Sequence, residues 1–241
     1  MRKFGLIGYP LSHSFSKKYF TEIFSNEGID AEYANYPIED ISMVKALFKD
    51  PLLEGINVTI PYKEAVIPFV DELSEPVKEI GACNCIRIRN GKTMGFNTDV
   101  LGFERSMEKK LRPVNDKALV LGTGGAAKAV CYVLSQKKIP YKQVSRNRKE
   151  GIISYADVSA DMLRQYRLLI NTTPLGMYPD TEACPELPYE AITPDHYLYD
   201  LVYNPEKTLF LKKGEERGAV IENGHDMLII QANESRKIWN I

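Results

Sequence analysis

Two patterns of apolar and polar residues alternate along this chain. Short apolar or alternating runs between Gly, Pro and polar residues predict β-strands, and apolar residues at helical spacing predict helices between them. In the first part of the chain the predicted strands are Phe4–Gly8, Ala31–Pro37, Gly55–Ile60 and Ala82–Ile88, and the predicted helices are Lys17–Asn26, Ile41–Phe48 and Lys63–Phe69. This alternation predicts an α/β fold.

A second alternating region follows a predicted helix at Asp99–Leu111. Its later predicted strands are Tyr141–Ser145, Leu168–Asn171, Tyr197–Val202 and Ala219–Ile221, and the chain ends in a predicted helix at Asp226–Trp239. The sequence contains no internal repeat, low-complexity tract or flexible linker. Two domains joined by structured elements are therefore expected.

The most informative segment is Lys117–Ala127, which reads KALVLGTGGAA. A buried strand is predicted to turn here into a helix through glycines whose backbone N–H groups can hold a pyrophosphate. The spacing is G-x-G-G-A-A rather than the full G-x-G-x-x-G, so alone it fits an ordinary strand-to-helix turn equally well. A small-residue helical face and a second strand downstream favour the nucleotide site. The candidate cofactor residues of the turn are Gly122, Thr123, Gly124, Gly125 and Ala126.

A basic segment follows the second predicted strand of this region. At this place an NAD-binding protein has an Asp or Glu that binds the ribose hydroxyls. This chain instead has Ser145, Arg146, Asn147, Arg148 and Lys149. Arginine can pair with a 2′-phosphate through two parallel hydrogen bonds, so the predicted cofactor is NADP. The alternative interpretation is a solvated basic loop, which the glycine turn just upstream disfavours.

Composition narrows the classes of protein that this chain can represent. Its 241 residues are 44% hydrophobic and 26% charged, enough for one large or two modest cores. The formal net charge of -1 argues against nucleic acid or an anionic membrane as the main partner. There is no apolar run long enough to span a bilayer and no signal-peptide pattern, so a cytoplasmic location is expected. The 4 cysteines and 3 histidines show no metal-ligand spacing, and no metal is predicted.

Four polar motifs lie before the glycine turn, at the ends of predicted strands, where open α/β sheets bind their ligands. A dinucleotide-binding unit normally opens with its glycine turn, so the preceding region is expected to hold the molecule on which the nucleotide acts. The motifs are YPLSHSFS (Tyr9–Ser16), NVTIPYK (Asn57–Lys63), GACNC (Gly81–Cys85) and GFNTD (Gly95–Asp99).

Together with NTTPLGM (Asn171–Met177), DLVYNP (Asp200–Pro205) and NGHDMLIIQA (Asn223–Ala232), these motifs closely resemble the shikimate dehydrogenase family, essentially from end to end. The resemblance implies NADPH-dependent, reversible reduction of 3-dehydroshikimate to shikimate in the shikimate pathway. It also implies two α/β domains: a substrate domain at residues 1–98 plus 225–241, and a Rossmann-type, doubly wound NADP-binding domain at residues 99–224. The chain departs from the family pattern at Cys85, Val100 and Thr123, and in a short segment between Arg148 and Leu168.

The resemblance also assigns roles to individual residues. Lys63 and Asp99 are the implied catalytic pair, since the alkoxide left by hydride transfer must gain a proton, and which of them transfers it is left open. Ser14 and Ser16 would hold the substrate carboxylate. The other implied substrate-binding residues are Asn57, Thr59, Asn84, Tyr203 and Gln231, and the other implied cofactor-binding residues are Asn171, Thr172, Thr173, Val202, Gly224 and Met227.

Each of these residues also has an ordinary structural interpretation. Ser14, Ser16 or Asp99 could cap a helix, Lys63 could be a surface lysine, and the asparagines could satisfy backbone groups at strand ends. For any single residue the structural interpretation is favoured, and for the whole set in family order the functional one is favoured. The functional alternatives are a quinate/shikimate dehydrogenase using NAD or quinate, a folate-type dehydrogenase, and a non-catalytic module that binds NADP or shikimate. The predicted partners are small molecules, and both a monomer and a homodimer are left open.

Overall fold

The structure is a computed structural model that describes residues 1–11 and 15–241. The predicted site residue Ser14 lies outside the described residues. The chain divides into two compact units, each with its own sheet. Unit 1 comprises Met1–Thr98 and Gln231–Ile241, and unit 2 comprises Asp99–Ile230.

The sheet of unit 1 is mixed. Its strands are β1 (Arg2–Gly8), β2 (Ala31–Pro37), β3 (Leu53–Val58), β4 (Glu72–Leu73), β5 (Cys85–Arg89) and β6 (Lys92–Phe96), and the helices of this region are α1 (Phe15–Glu27), α2 (Val44–Leu47) and α3 (Glu75–Ile80). The strand order is β2-β1-β3-β5-β6-β4. β1 is parallel to β2 and β3, whereas β5 is antiparallel to β3 and β6.

Apolar side chains cover both faces of this sheet. One buried cluster includes Ile7, Ile56 and Ile86, and another includes Phe4 and Trp239. The last five residues of β1 are all buried, which explains why this strand is an apolar run rather than an alternating one. Because β1 and β3 are parallel neighbours, the polar segments that follow them begin at the same edge of the sheet.

The predicted helix at Lys63–Phe69 is wrong. Residues 63–66 form turns, and only Ile67–Phe69 forms a short 3-10 helix. Pro68 has no backbone N–H to donate to the carbonyl four residues earlier, so an α-helix starting at Lys63 cannot continue through it.

Unit 2 repeats strand and helix in regular order. It contains α4 (Asp99–Glu108), β7 (Ala118–Leu121), α5 (Gly125–Gln136), β8 (Tyr141–Ser145), β9 (Ile152–Ser154), α6 (Ala160–Gln165), β10 (Leu168–Asn171), β11 (Tyr197–Asp200), α7 (Leu209–Glu215) and β12 (Val220–Glu222). The last helix, α8 (His225–Trp239), passes from unit 2 into unit 1 between Ile230 and Gln231, whereas the family resemblance places that return at residue 225. Within the described ranges, no helix is long and apolar enough to cross a membrane.

The sheet of unit 2 is entirely parallel, in the order β12-β11-β10-β7-β8-β9. Counted from its first strand, this is the strand order 3-2-1-4-5-6 of doubly wound dinucleotide-binding folds. β7, β10 and β11 are buried at every residue, so both faces of the central sheet are covered. The strand order reverses between β7 and β10, and such sheets bind ligands beyond the carboxyl ends of the strands at that point. The predicted α/β, Rossmann-type fold class is confirmed.

Candidate active site

The turn between β7 and α5 has the geometry of a phosphate-binding loop. Gly122 has a φ of 120°, and a Cβ at this position would lie 2.4 Å from Thr172 Oγ1. Gly124 is the N-cap of α5, has an extended backbone and makes no side-chain capping bond. A Cβ at Gly124 would meet no protein atom within 4 Å. The helix N-terminus is therefore open, and its unpaired first-turn N–H groups fit a pyrophosphate.

The end of β10, next to this turn, is held together by its own side chains. Thr172 Oγ1 donates to the Leu121 carbonyl at 2.7 Å, and Thr173 Oγ1 donates to Asn171 Oδ1 at 2.6 Å. The hydroxyl protons of both threonines are thus used within the protein. The structure brings Asn171, Thr172 and Thr173 together beside Gly122, where they shape the wall of the loop.

Asp200, at the end of β11, is a buried carboxylate that is not among the predicted site residues. Its Oδ1 accepts from Asn171 Nδ2 and from the Val202 N–H, each at 3.0 Å, and its Oδ2 accepts from Thr208 Oγ1 at 2.6 Å. Burial raises the pKa of Asp200 to about 6, against the lowering effect of these three donors. Asp200 links two predicted cofactor segments. The sequence did contain a signal for Asp200, namely a carboxylate towards the end of a predicted apolar strand.

Val202 and Gly224 lie together in unit 2. The Gly224 N–H donates to the Val202 carbonyl at 3.1 Å, and a Cβ at Gly224 would lie 2.1 Å from the Leu201 carbonyl oxygen. Only glycine permits this approach of the two backbones. Met227, also buried, lies in the first turn of α8.

The basic segment after β8 contains two arginines in different surroundings. Arg148 forms an ion pair with Asp157, with Nε 3.2 Å from Oδ2. The pKa of Asp157 is lowered to about 2, mainly by hydrogen bonds from the Ser154 hydroxyl and N–H and then by Arg148. Arg146 is exposed, and Ser145 Oγ donates to the backbone carbonyl of Asn147. One arginine is thus already engaged with a carboxylate.

In unit 1, Asn84 and Gln231 are joined although they lie far apart in the sequence. Asn84 is 3% exposed, and its Nδ2 donates to Gln231 Oε1 at 3.2 Å and to Thr98 Oγ1 at 3.1 Å. Its Oδ1 accepts from the Thr98 N–H at 2.7 Å. Thr98, which sequence reasoning does not single out, therefore fixes the direction of the Asn84 amide.

Asn57 is held by two residues that sequence reasoning also missed. Its Oδ1 accepts from the Tyr33 hydroxyl at 2.9 Å, and its Nδ2 donates to Ser235 Oγ at 2.9 Å. The predicted Ser16 hydrogen-bonds to the same Tyr33 hydroxyl. Tyr33 reads as an ordinary strand tyrosine and Ser235 as an ordinary helix serine, so the sequence carried no signal for either.

Thr59 and Lys63 follow β3 at the edge where β1 also ends. The Thr59 N–H donates to the Ile7 carbonyl at 2.9 Å, which ties this segment to β1. The Lys63 carbonyl accepts from the Cys83 N–H at 2.7 Å, which anchors the partly buried lysine beside the segment that carries Asn84. Burial raises the pKa of the Cys83 thiol to about 12, and backbone hydrogen bonds at Cys85 and Phe96, followed by the positive charge of Lys63, oppose this rise.

Asp99 and Tyr203 belong to unit 2. Asp99 is the first residue of α4 and is 2% exposed, and a carboxylate in the first helical turn interacts favourably with the helix dipole. Tyr203 follows β11 and is 38% exposed, and burial of its ring raises the pKa of its hydroxyl. The predicted catalytic pair is thus drawn from the two units, Lys63 from unit 1 and Asp99 from unit 2.

A doubly wound sheet with an open glycine turn at its switch point is typical of a dinucleotide-binding protein, and the second α/β unit offers clustered amide side chains to a polar substrate. A family model described as the shikimate dehydrogenase substrate binding domain matches residues 6–86. The NADP(+)-dependent shikimate dehydrogenase of Caldicellulosiruptor saccharolyticus is 40% identical to this chain over 99% of this chain and 92% of its own. The chain belongs to the shikimate dehydrogenase family.

Solved structures share the fold over the whole chain. Shikimate 5-dehydrogenase from Thermus thermophilus, in complex with NADP(H) and shikimate, has a TM-score of 0.87 and 30% identity and covers 99% of this chain and 93% of its own. Quinate dehydrogenase from Corynebacterium glutamicum, in complex with NAD, also has a TM-score of 0.87, with 26% identity over 99% of this chain and 93% of its own. The protein is an NADP-dependent oxidoreductase of the shikimate pathway, and the predicted family, enzyme class and cofactor are confirmed.

Proposed function

We propose that this enzyme interconverts 3-dehydroshikimate and shikimate, with most of the polar side chains that bind the substrate in unit 1 and with NADP bound at the switch-point edge of unit 2. Unit 1 is then the substrate-binding domain and unit 2 the NADP-binding domain. When bound, NADPH supplies the hydride that reduces the substrate carbonyl. The protein's own residues orient the substrate and supply the proton that completes the reduction.

The observation that carries this proposal is the convergence of three amide side chains in unit 1. Asn57, Asn84 and Gln231 come from three separate segments of the chain. Asn84 Nδ2 nevertheless lies 3.2 Å from Gln231 Oε1, and Asn57 Nδ2 lies 3.4 Å from the backbone carbonyl oxygen of Asn84. Amides offer both donors and acceptors, which suits a substrate with several hydroxyl groups. Ser16, beside this cluster through Tyr33, supplies a hydroxyl for the substrate carboxylate, with Ser14 as its proposed companion.

Lys63 and Asp99 are the proposed catalytic pair. A lysine ammonium next to the substrate oxygen stabilises the developing alkoxide and offers it a proton. Asp99 accepts hydrogen bonds from substrate hydroxyls. Thr59 and Tyr203 complete the proposed substrate contacts, on the ring hydroxyls and on the carboxylate side.

The proposed cofactor contacts divide by the part of NADP that they serve. Residues 122–126 hold the pyrophosphate through backbone N–H groups at the open end of α5. Arg146 pairs with the 2′-phosphate, with Ser145, Asn147 and Arg148 beside it. The remaining proposed contacts are with the rest of the dinucleotide and come from Asn171, Thr172, Thr173, Val202, Gly224 and Met227.

We also infer a cytoplasmic enzyme whose partners are small molecules. Cys83, Cys85, Cys131 and Cys184 are all free thiols, as is usual in a reducing compartment. The formal net charge of -1 gives no general attraction to polyanions such as nucleic acid.

Replacing Lys63 tests the assignment directly. Lys63→Ala should lower kcat by roughly 10²- to 10⁴-fold and change the KM for shikimate much less, because a positioned proton-transfer group acts mainly in the transition state. The measurement is the initial rate of NADPH formation from NADP and shikimate, followed by absorbance. Lys78→Ala is the control, since Lys78 is an exposed lysine on α3 paired with Glu75 at 2.6 Å.

Near-normal kcat in a folded Lys63→Ala enzyme would remove Lys63 from the mechanism. Quinate and NAD are assayed in parallel with the wild type. A kcat/KM for quinate equal to that for shikimate would favour the quinate/shikimate type of enzyme, and binding of both ligands without turnover would favour a sensing module.

A further inference from the structure

A directional chain of hydrogen bonds holds the side-chain amide of Asn57. Ser235 is fully buried on α8, four residues after Gln231, and its Oγ donates to the Gln231 carbonyl at 3.0 Å. A serine hydroxyl has one proton, so towards Asn57 Nδ2, at 2.9 Å, Ser235 Oγ accepts. The Cys85 thiol is a further hydrogen-bond partner of this hydroxyl. On the far side of the amide, Tyr33 donates its hydroxyl proton to Asn57 Oδ1 at 2.9 Å.

This chain fixes which end of the amide faces which neighbour. In the flipped orientation Asn57 Oδ1 would face Ser235 Oγ, whose proton already bonds the helix carbonyl, so two acceptors would be in contact. Leaving a buried polar group unpaired costs more than a typical hydrogen bond contributes, which disfavours the flip. In the observed orientation the second Nδ2 proton faces the Asn84 carbonyl at 3.4 Å. Within residues 1–11 and 15–241, Asn57 Oδ1 accepts only from Tyr33, which leaves one lone pair for a ligand hydroxyl.

We propose that Ser235 is a positioning residue for the substrate: it orients the Asn57 amide so that Oδ1 accepts a hydrogen bond from a substrate hydroxyl. This inference rests on the proposed assignment of Asn57 to the substrate. Ser235 acts only through Asn57 and needs no contact with shikimate. Ser235 lies one helical turn after Gln231, so both residues are on the same face of α8. From this face Gln231 accepts a hydrogen bond from Asn84, and Ser235 accepts one from Asn57.

Removing the hydroxyl of Ser235 tests the proposal. Ser235→Ala should raise the KM for shikimate by roughly three- to tenfold, the effect of losing one net hydrogen bond, with kcat within about twofold and the KM for NADP unchanged. Alanine is the residue most favourable to a helix, so the variant should fold. Its urea unfolding and the rise in its Tm with added shikimate are measured alongside.

Ser106→Ala is a matched control. Ser106 is also fully buried within a helix, its Oγ donates to the carbonyl four residues earlier, Gly102, at 2.6 Å, and it hydrogen-bonds one side chain, the Tyr199 hydroxyl, also at 2.6 Å. It lies in unit 2 and has no contact with the amide cluster among its hydrogen bonds. Ser106→Ala should therefore cost comparable stability without raising the KM for shikimate.

A double-mutant cycle distinguishes action through Asn57 from a general structural effect. In an Asn57→Ala background, Ser235→Ala should add less than about a twofold further change in KM, because the group that it orients is gone. An equal change in both backgrounds, or parallel losses in kcat and both KM values, would overturn the inference. If Asn57→Ala raises the KM but Ser235→Ala does not, the inference fails and the proposed function stands. If Asn57→Ala itself has no effect, the assignment of Asn57 fails and the inference fails with it.

Discussion

At the scale of single residues, Arg146 and Arg148 show that charge in a sequence is not the same as charge available for a ligand. Arg148 neutralises Asp157, a carboxylate that Ser154 holds in place. Arg146 is exposed near the partly buried Tyr155, where burial raises the tyrosine pKa to about 12 and Arg146 acts in the opposite direction. Arg146 is therefore the stronger candidate for the 2′-phosphate.

Replacing the two arginines separately should give different results. Arg146→Ala should reduce the preference for NADP over NAD by roughly one to two powers of ten, since a charge-assisted hydrogen bond contributes about 1.5 to 3 kcal/mol. The loss should fall mainly on the KM for NADP, because the 2′-phosphate is remote from the hydride. The measurement is kcat/KM with each cofactor at saturating shikimate.

Arg148→Ala serves as the comparison, and its effect on the cofactor preference should be clearly smaller because its charge is shared with Asp157. If Arg146→Ala weakened NADP and NAD equally, or if Arg148 proved the more important arginine, the assignment of the phosphate site would be wrong.

At the scale of elements, the glycine turn is where local sequence and fold agree best. Ala127 occupies the position of the third glycine in the dinucleotide-binding pattern. It is fully buried in α5, so the packing of this helix on the sheet accommodates the alanine methyl group. Gly122 is required by its positive φ and by the proximity of Thr172. Gly124 has neither constraint, although glycine is a favoured N-cap residue, and the proposed pyrophosphate contact adds a second reason for a glycine there.

Gly124→Ala separates binding from folding. The added Cβ meets no protein atom, and a glycine-to-alanine change at an N-cap costs at most about 1 kcal/mol, so the urea midpoint should change little. The KM for NADP should nevertheless rise by at least about tenfold, because the methyl group occupies the space through which the pyrophosphate approaches the backbone. The KM for shikimate, measured on the same preparation, is the internal control. An unchanged KM for NADP would mean that the pyrophosphate lies elsewhere.

Strands and helices with a clear apolar pattern in their own sequence were predicted well. Elements that are short, or that are recognised only from an adjoining turn, were missed. Ala31–Pro37 is a strand with the predicted bounds. The hairpin of β5 and β6 was missed although Asn90 and Gly91, with φ of 53° and 73°, form an Asn-Gly turn that the sequence displays. α7 was missed as well, since its seven residues are too few to show a clear helical period.

The candidate site divides in the same way. Motifs at strand ends, such as NVTIPYK and NTTPLGM, could be found because the chain itself places them at a sheet edge. Thr98 and Ser235 could not, because their importance lies in partners that only the fold brings near. Asn57 and Ser235 are 178 positions apart, and no local pattern encodes such a contact.

At the scale of the whole molecule, the chain leaves unit 1 after Thr98 and returns to it at Gln231. The return takes place inside one helix, α8. The return segment is secured by Trp239, which is 1% exposed and packs at a tilt against Phe4 and Phe20, with ring centroids 5.1 and 5.4 Å away. Its Nε1 donates to the Ile86 carbonyl at 2.9 Å, and Gly55 leaves room for the indole, since a Cβ there would lie 2.3 Å from Nε1. The segment that carries Gln231 and Ser235 is thus held by the core of unit 1.

Trp239→Ala should therefore affect stability and substrate binding together. Truncating a fully buried tryptophan costs about 3–5 kcal/mol of unfolding free energy, which circular dichroism in urea would measure. The KM for shikimate should rise while the KM for NADP stays near the wild-type value, because the loosened residues belong to unit 1. Phe210→Ala, at a fully buried position of unit 2, should cost similar stability without raising the KM for shikimate. If both variants changed the two KM values alike, general destabilisation would account for the effect, and the return segment would have no special part in holding the substrate site.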